Sequence, residues 1–452
     1  MINTDNIKSI YFLGIGGIGM SALARFFKAK GAVVSGYDRT SSPLTRNLER
    51  EGMQIHYEDR PDLIPKNADL VVITPAIPKS LKELQHVKTS QTPILKRAEV
   101  LGIISRQNKT IAVAGTHGKT SVTALITHLL HQSGIHVTAF VGGILKNYHS
   151  NCIIADNPEY VIIEADEYDR SFLQLTPDIA VITSIDADHL DIYGDKNSLQ
   201  QAFQAFLERL KPGGIAFAES KASGKLKSLT TPYGLEEDAA IRIVNHFISG
   251  GFQKFDYQNE DIEINELQIH LPGEYNLKNA AAAITTALSC GAKHVDIRNA
   301  LATFEGVERR FDIVYRDEKH VYIDDYAHHP EEIRAFIAAV KMLFPDKPIM
   351  GAFQPHLYSR TADFADGFAK SLQMLDKIIL LPIYPAREEP IPGVSSRLIW
   401  EKMNHSGKYL VEKNEFIDTI KSLQPQVFVT MGAGDIDRFV EPVKACFEEQ
   451  NA

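Results

Sequence analysis

Short apolar runs alternate with stretches of helical period along most of the chain, and the alternation restarts twice. The first run, Ser9-Ile-Tyr-Phe-Leu13, ends in Gly14-Ile-Gly-Gly-Ile-Gly19 and passes into the helical spacing of Met20 to Lys30, which predicts strand, glycine turn and helix. Runs at Val33–Asp38 and Asp69–Thr74 continue the pattern up to the polar stretch Ser105–Lys109. It then restarts with a strand Thr110–Ala114, a loop Gly115-Thr-His-Gly-Lys-Thr120 and a helix from Ser121 to Gln132 closed by Gly134. Further runs at Tyr160–Glu164, Ile179–Thr183 and Gly214–Ala218 predict a mostly parallel sheet. The stretch Ala240–His270 instead alternates apolar and polar positions and predicts an antiparallel annex, followed by an alanine-rich helix Asn279–Ser289. A third restart near Phe311 brings strands at Val321–Asp324, Pro348–Phe353, Lys377–Pro382 and Val427–Thr430.

The reading is therefore an α/β chain of three units, mostly parallel in their sheets, with a small antiparallel annex to the second. The length of 452 residues fits three domains at about 150 residues each. With 48 Lys and Arg against 57 Asp and Glu the net charge is −9, which points away from nucleic acid or membrane surfaces as partners. Three scattered cysteines, Cys152, Cys290 and Cys446, support neither a disulfide framework nor a thiolate zinc site and suit a reducing cytoplasm. The N-terminus lacks the basic start and apolar stretch of a signal peptide, and no run approaches the roughly 20 apolar residues of a membrane span.

Four stretches carry chemistry. Gly14, Gly16 and Gly19 after a strand and before a helix, with Asp38 ending the next strand, match the dinucleotide fingerprint, in which glycine lets backbone amides approach a pyrophosphate. The motif does not separate NAD from a UDP-sugar. Gly115-Thr-His-Gly-Lys-Thr120 resembles a phosphate loop, with Lys119 to neutralise phosphates and Thr120 to meet Mg²⁺, although Val113 stands where the first glycine of the usual pattern falls. Lys119 is expected to be an exposed loop lysine with little packing. Glu164-Ala-Asp-Glu167 and Asp186-Ala-Asp-His-Leu-Asp191 close neighbouring runs, where acids and a histidine suit Mg²⁺ or phosphate work, or else a solvated loop. In Asp324-Asp-Tyr-Ala-His-His-Pro330 a strand becomes a helix, Pro330 suits its first position, and His329 is either a cap or a site residue.

Taken together with Gly306-Val-Glu-Arg-Arg-Phe311 and Phe353-Gln-Pro-His356, these motifs occur in the order of the Mur ligase family, which the chain closely resembles over nearly its whole length. Within the family it looks most like the member that adds L-alanine to UDP-N-acetylmuramate in peptidoglycan synthesis. The resemblance implies three α/β domains, a Rossmann-like one at 1–106 for the UDP-sugar, a central P-loop ATPase-like one at 107–312 and a second Rossmann-like one at 313–452 for the amino acid and part of ATP. It also implies an ATP-dependent ligase that forms an acyl phosphate, with Mg²⁺ (Mn²⁺ as a substitute) as the metal. UDP-N-acetylmuramate, L-alanine and ATP are the implied partners, and the implied enzyme is a cytoplasmic monomer or homodimer. Carried over by position, Gly14, Gly16, Gly17, Ile18, Gly19 and Asp38 would hold the UDP-sugar. Gly115, Thr116, His117, Gly118, Lys119, Thr120, Asn276 and Arg310 would hold ATP, with Thr120 on one Mg²⁺ and Glu164 with His189 on a second. Tyr326, His328 and Arg360 would serve the amino acid. Lys119, Glu164, His189, His328 and Arg360 are the implied catalytic set.

Three departures from the family pattern stand out. Tyr275-Asn276 replaces the usual His-Asn, which implies a tyrosine stacked on the nucleotide. No lysine is placed to be the carbamylated residue of some members, one that the L-alanine enzymes also lack. Leu357 stands where many L-alanine enzymes carry arginine, and Arg387, where they commonly have glycine, is a candidate to take over the α-carboxylate. The competing readings are a ligase that recycles a whole muramyl tripeptide and, from other classes, an NAD-dependent oxidoreductase with Asp38 on the ribose and a non-enzymatic nucleotide switch.

Overall fold

The computed structural model describes residues 2–186, 193–227, 230–386 and 388–449. Among them are three sheets. The first holds β1 (Ser9–Leu13), β2 (Val33–Tyr37), β3 (Gln54–His56), β4 (Leu70–Ile73) and β5 (Ile94–Lys96) in the order β3-β2-β1-β4-β5, all neighbours parallel. The order reverses between β1 and β4, and such a switch opens a crevice beyond the C-terminal strand ends. The turn at Gly14 leaves β1 at that point.

The second sheet contains β6 (Thr110–Ala114), β7 (Val137–Leu145), β8 (Ser150–Ile153), β9 (Tyr160–Glu164), β10 (Ile179–Ile182), β11 (Ile215–Glu219), β12 (Thr231–Gly234), β13 (Ile241–Ser249), β14 (Phe252–Gln258) and β15 (Glu263–Ile269). Their order is β15-β14-β13-β12-β11-β10-β6-β9-β7-β8. Fully buried β6 lies between β10 and β9, parallel to both, so the loops that follow these three strands emerge side by side. Connections of two and four residues make β13, β14 and β15 antiparallel hairpins, the expected annex. The alternation in β15 slips where Ile264 and Leu267 are both buried, because Glu266 takes φ +59° and its amide turns to Asp256 Oδ1.

The third sheet has β16 (Asp312–Arg316), β17 (Val321–Asp325), β18 (Ile349–Phe353), β19 (Lys377–Leu380), β20 (Lys408–Leu410) and β21 (Val427–Met431) in the order β16-β17-β21-β18-β19-β20. Only β16 is antiparallel to its neighbour.

The chain groups into two compact units: Met1–Val244, Asp256–Leu267 and Lys278–Glu305 form one; Asn245–Phe255, Gln268–Leu277 and Gly306–Ala452 form the other. Within the first, helix Ile18–Ala29 packs on β7 and β8. Phe26 meets Phe140 at 5.4 Å, and buried Asn151 donates its amide to the Ile18 carbonyl and Ser21 Oγ while accepting from Arg25. Helices start earlier than their apolar spacing predicts. Ile18 already belongs to the first, Lys119 and Thr120 open helix Lys119–Gln132, and the alanine-rich helix runs Glu274–Ser289, which places Tyr275 and Asn276 in its first turn. The positions that extend these starts, among them Gly19, Lys119, Thr120, Glu274 and Asn276, are glycine or polar and add nothing to a hydrophobic period.

Candidate active site

At the glycine turn, Gly14 takes φ +85°, and the amides of Gly14 and Ile15 donate to the Tyr37 carbonyl at 2.8 and 3.1 Å. Asp38 is partly exposed just beyond the end of β2. Its Oδ2 accepts from the Gly16 amide at 2.8 Å, so the acid organises the loop. A Cβ on Gly16 would lie 2.8 Å from that oxygen. Gly17 caps the helix without a side-chain partner for the first turn, and Ile18 is 36% exposed. Arg97, to which the sequence gave no role, lays its guanidinium where a Cβ of Gly19 would sit 2.6 Å from Nη1, and reaches Asp166 at 3.4 Å. Its position at the start of a helix far along the chain carries no motif that could have announced it.

The loop after β6 is folded onto the end of β10. Gly115, at φ +144°, has no room for a side chain, because a Cβ would lie 2.0 Å from Thr183 Oγ1. Ser184 Oγ accepts from the His117 amide at 2.8 Å and pairs with Thr116 Oγ1 at 2.8 Å, while the Thr183 hydroxyl donates to the His117 carbonyl. Gly118 closes the turn at φ +81° against Asn279 Oδ1, a second buried asparagine on the helix that carries Asn276, spaced three residues on. Helix Lys119–Gln132 thus begins at a left-handed residue with no side-chain cap, and its first amides point at the loop mouth.

Lys119 is not the exposed lysine expected. Its side chain is 14% exposed; Nζ donates to the Gly115 carbonyl at 2.7 Å and sits 2.7 Å from the carboxylate of Glu167, which is fully buried. The predicted helix start at Ser121 left Lys119 in the loop, whereas the structure draws it into the helix and folds it back over the turn. Burial pushes the Glu167 carboxyl up to about 7 against the pull of Lys119. Burial would depress the Lys119 ammonium, but Glu167 and Asp166 hold it above its usual value. Glu164, the last residue of β9, accepts from the Thr120 hydroxyl at 2.9 Å and from the Gly142 amide at 2.7 Å. Lys119, Thr120, Glu164 and Glu167 therefore converge, as the motif order required. His189, with Asp188 and Asp191, lies outside the described residues.

In the second unit Arg309 is fixed by Asp324 Oδ2 at 3.0 Å and by the Gly432 carbonyl, whereas Arg310 stacks on Tyr326, its guanidinium carbon 4.8 Å from the ring centroid. His328 donates Nδ1–H to the Tyr326 carbonyl at 2.9 Å, and its ring stands 6.2 Å from that of His356, which stacks on Tyr384. His329 is the cap: it is the N-cap of helix Pro330–Leu343 in a capping box with Glu332. Burial pushes Asp325 up to about 7 although it accepts amides from Phe311 and Ala327, both at 2.7 Å. Tyr275 is raised well above its usual value by burial and by Asp325. Asn276 is buried, its amide turned to the Pro272 carbonyl at 2.8 Å. Leu357, at φ +69°, precedes helix Tyr358–Leu372, whose first turn carries Arg360. Arg387 lies outside the described residues.

Three family models cover the chain: the Mur ligase family catalytic domain matches residues 9–109, the Mur ligase middle domain 113–287 and the Mur ligase glutamate ligase domain 309–434. A UDP-N-acetylmuramate–L-alanine ligase of Cytophaga hutchinsonii is 44% identical over 99% of this chain and 99% of its own length. One of Flavobacterium psychrophilum is 47% identical over 99% and 100%. The crystal structure of UDP-N-acetylmuramate-alanine ligase from Thermotoga maritima superposes with a TM-score of 0.84 at 28% identity, covering 98% of this chain and all of that one. A murein peptide ligase of Psychrobacter arcticus shares the fold at a TM-score of 0.71 and 21% identity over 97% and 98%. With its phosphate loop flanked by the acids the motifs required and its relatives matched from end to end, the chain belongs to the Mur ligase family.

Proposed function

We propose that this chain joins L-alanine to the muramyl carboxylate of UDP-N-acetylmuramate at the expense of ATP, in the assembly of peptidoglycan precursors. The carrying observation is the loop after β6, where Lys119, Thr120 and Glu164 meet at a helix start that the N-cap residue leaves without a side-chain cap. A carboxylate oxygen attacks the γ-phosphorus and ADP leaves. The amine of L-alanine then attacks the acyl carbon, phosphate departs from the tetrahedral intermediate, and an amide remains. Negative charge grows on the phosphoryl group in the first step, and Lys119 with the first-turn amides supplies fixed positive charge there.

For the divalent ion that the family implies, the donors fit. The Thr120 hydroxyl and the Glu164 carboxylate are hard oxygens 2.9 Å apart. Among the described residues no three His, Cys, Asp or Glu side chains could hold an ion by themselves. That composition suits Mg²⁺, which takes one or two carboxylates and completes its shell with phosphate and water. Thr120 and Glu164, with His189, would hold it, and when bound it would neutralise phosphate charge. The glycine turn from Gly14 to Gly19 receives the UDP-sugar, Asn276 and Arg310 the nucleotide, and Tyr326, His328 and Arg360 the amino acid. We assign these parts to domains at 1–106, 107–312 and 313–452 of a cytoplasmic enzyme. No helix among the described residues is long and apolar enough to cross a membrane.

The oxidoreductase reading leaves the loop at Lys119 and Thr120, with Glu164 beside it, without a role. The test is phosphate release from ATP and Mg²⁺ with UDP-N-acetylmuramate and single amino acids. Release with L-alanine is expected, whereas release only with the L-Ala-D-Glu-diamino acid tripeptide would transfer the assignment to the recycling ligase.

A further inference from the structure

Gly142 lies in β7 where the strand leaves the ladder. The parallel pairing of β7 with β9 runs from Val137 opposite Tyr160 to Phe140 opposite Ile163, and the pairing with β8 shifts register between Phe140 and Leu145. Beyond Phe140 the Gly142 amide finds a side chain instead, donating to Glu164 Oε2 at 2.7 Å. Thr120 occupies the other oxygen, Oε1, at 2.9 Å. The carboxylate is thus held at both ends, one by a helix hydroxyl and one by a strand amide.

A Cβ on Gly142 would stand 2.6 Å from each of the Glu164 oxygens and 2.8 Å from the carboxyl carbon, with no other atom among its three nearest. Gly142 is exposed, so core packing does not demand a glycine there, and its φ is not among the positive values that would. Glycine inside a strand is a cost that usually marks a bulge or a close approach. Here the nearest approach is to the Glu164 carboxylate.

We infer that Gly142 is a positioning residue for Glu164: its amide fixes Oε2, its bare Cα makes room for the carboxylate, and Oε1 is thereby presented to the metal beside Thr120. The inference rests on the proposed role of Glu164 as a metal ligand. An alanine at this position needs no positive φ and presses first on the flexible end of Glu164, so fold and metal binding separate in Gly142→Ala.

The test uses the full-length protein with ADP and Mn²⁺ as probes. Bound Mn²⁺ is read by electron paramagnetic resonance, and the thermal midpoint is followed in parallel. Gly142→Ala should keep its midpoint and weaken Mn²⁺ binding by about 10- to 100-fold, the scale of losing a partner that orients a ligand. In ligation assays it should raise the half-saturating Mg²⁺ while leaving the KM for the UDP-sugar unchanged. Adding Glu164→Asp, one methylene shorter, should recover part of the Mn²⁺ affinity that Gly142→Ala loses. Unchanged Mn²⁺ affinity in Gly142→Ala, with Glu164→Gln weakened, would overturn the role of Gly142 and leave that of Glu164 standing. Unchanged affinity in Glu164→Gln would overturn both.

Discussion

Replacing Lys119 by alanine removes the cation over the phosphate loop and takes a positive charge from beside Glu167, whose side chain is fully buried. Losing a nearby cation makes the buried carboxylate costlier to ionise, and Glu167 answers by holding its proton to higher pH. Its carboxyl already stands at about 7 with Lys119 beside it, and without that pull it rises further. Below about pH 7 the group is protonated in both proteins, so Lys119→Ala should cost little stability there. Above pH 7 the native carboxyl ionises against Lys119 while the variant's stays protonated. The stability gap then widens by about 1.4 kcal/mol per pH unit, reaching roughly 3 kcal/mol at pH 9. Urea unfolding at pH 6, 7, 8 and 9 measures the gap, and Glu167→Gln added to Lys119→Ala should flatten it. Ligation should fall by about 10³-fold at every pH and stay lost in the double variant, because the lysine acts on the transferring phosphoryl group. Recovered ligation in the double variant would refute this, showing that Lys119 serves only to neutralise Glu167.

His128 is buried, accepts from Tyr148 at Nδ1 (2.8 Å) and donates from Nε2 to the Ala300 carbonyl (3.0 Å); burial depresses it from 6.5 to about 4. Its neutral form is favoured on folding, so about 3 kcal/mol of stability should be lost as pH falls from 6.5 to 4, and His128→Gln should remove that slope in urea titrations. Arg97→Ala should raise the KM for UDP-N-acetylmuramate about tenfold with the KM for ATP unchanged; equal shifts in both would remove Arg97 from the UDP-sugar site. Arg387→Ala should raise the KM for L-alanine, and Leu357→Arg should partly rescue it; unchanged L-alanine kinetics would leave the α-carboxylate to Arg360.

The sheets were legible because buried parallel strands are unbroken apolar runs: β1, β6, β17 and β18 are buried at every position. Strands of three residues, such as β3, β5 and β20, are too short to show a period, and β7 was hidden by Gly142-Gly143. At the site, motif residues adjacent in sequence were legible as groups. Partners supplied by distant segments were not: Glu167 was seen as one acid of a cluster and not as the partner of Lys119. Asn279, Arg97 and Gly142 act through contacts that no local pattern encodes. His329 was legible as a cap because Pro330 and Glu332 give it a local signature.

The seam formed by Asn151, Arg25 and Phe26 bears on how far such a chain can be treated as interchangeable parts. A fragment ending near residue 106 would keep β1 to β5 yet bare Phe26 and leave the Arg25 guanidinium without Asn151, since both partners come from β7 and β8. Recombination that exchanges the first segment alone therefore inherits a mismatched joint. A chimaera carrying the hairpin Val137–Ile153 along with its own first segment preserves it, which makes that hairpin, though distant in sequence, part of the unit on which exchange between homologues would have to act.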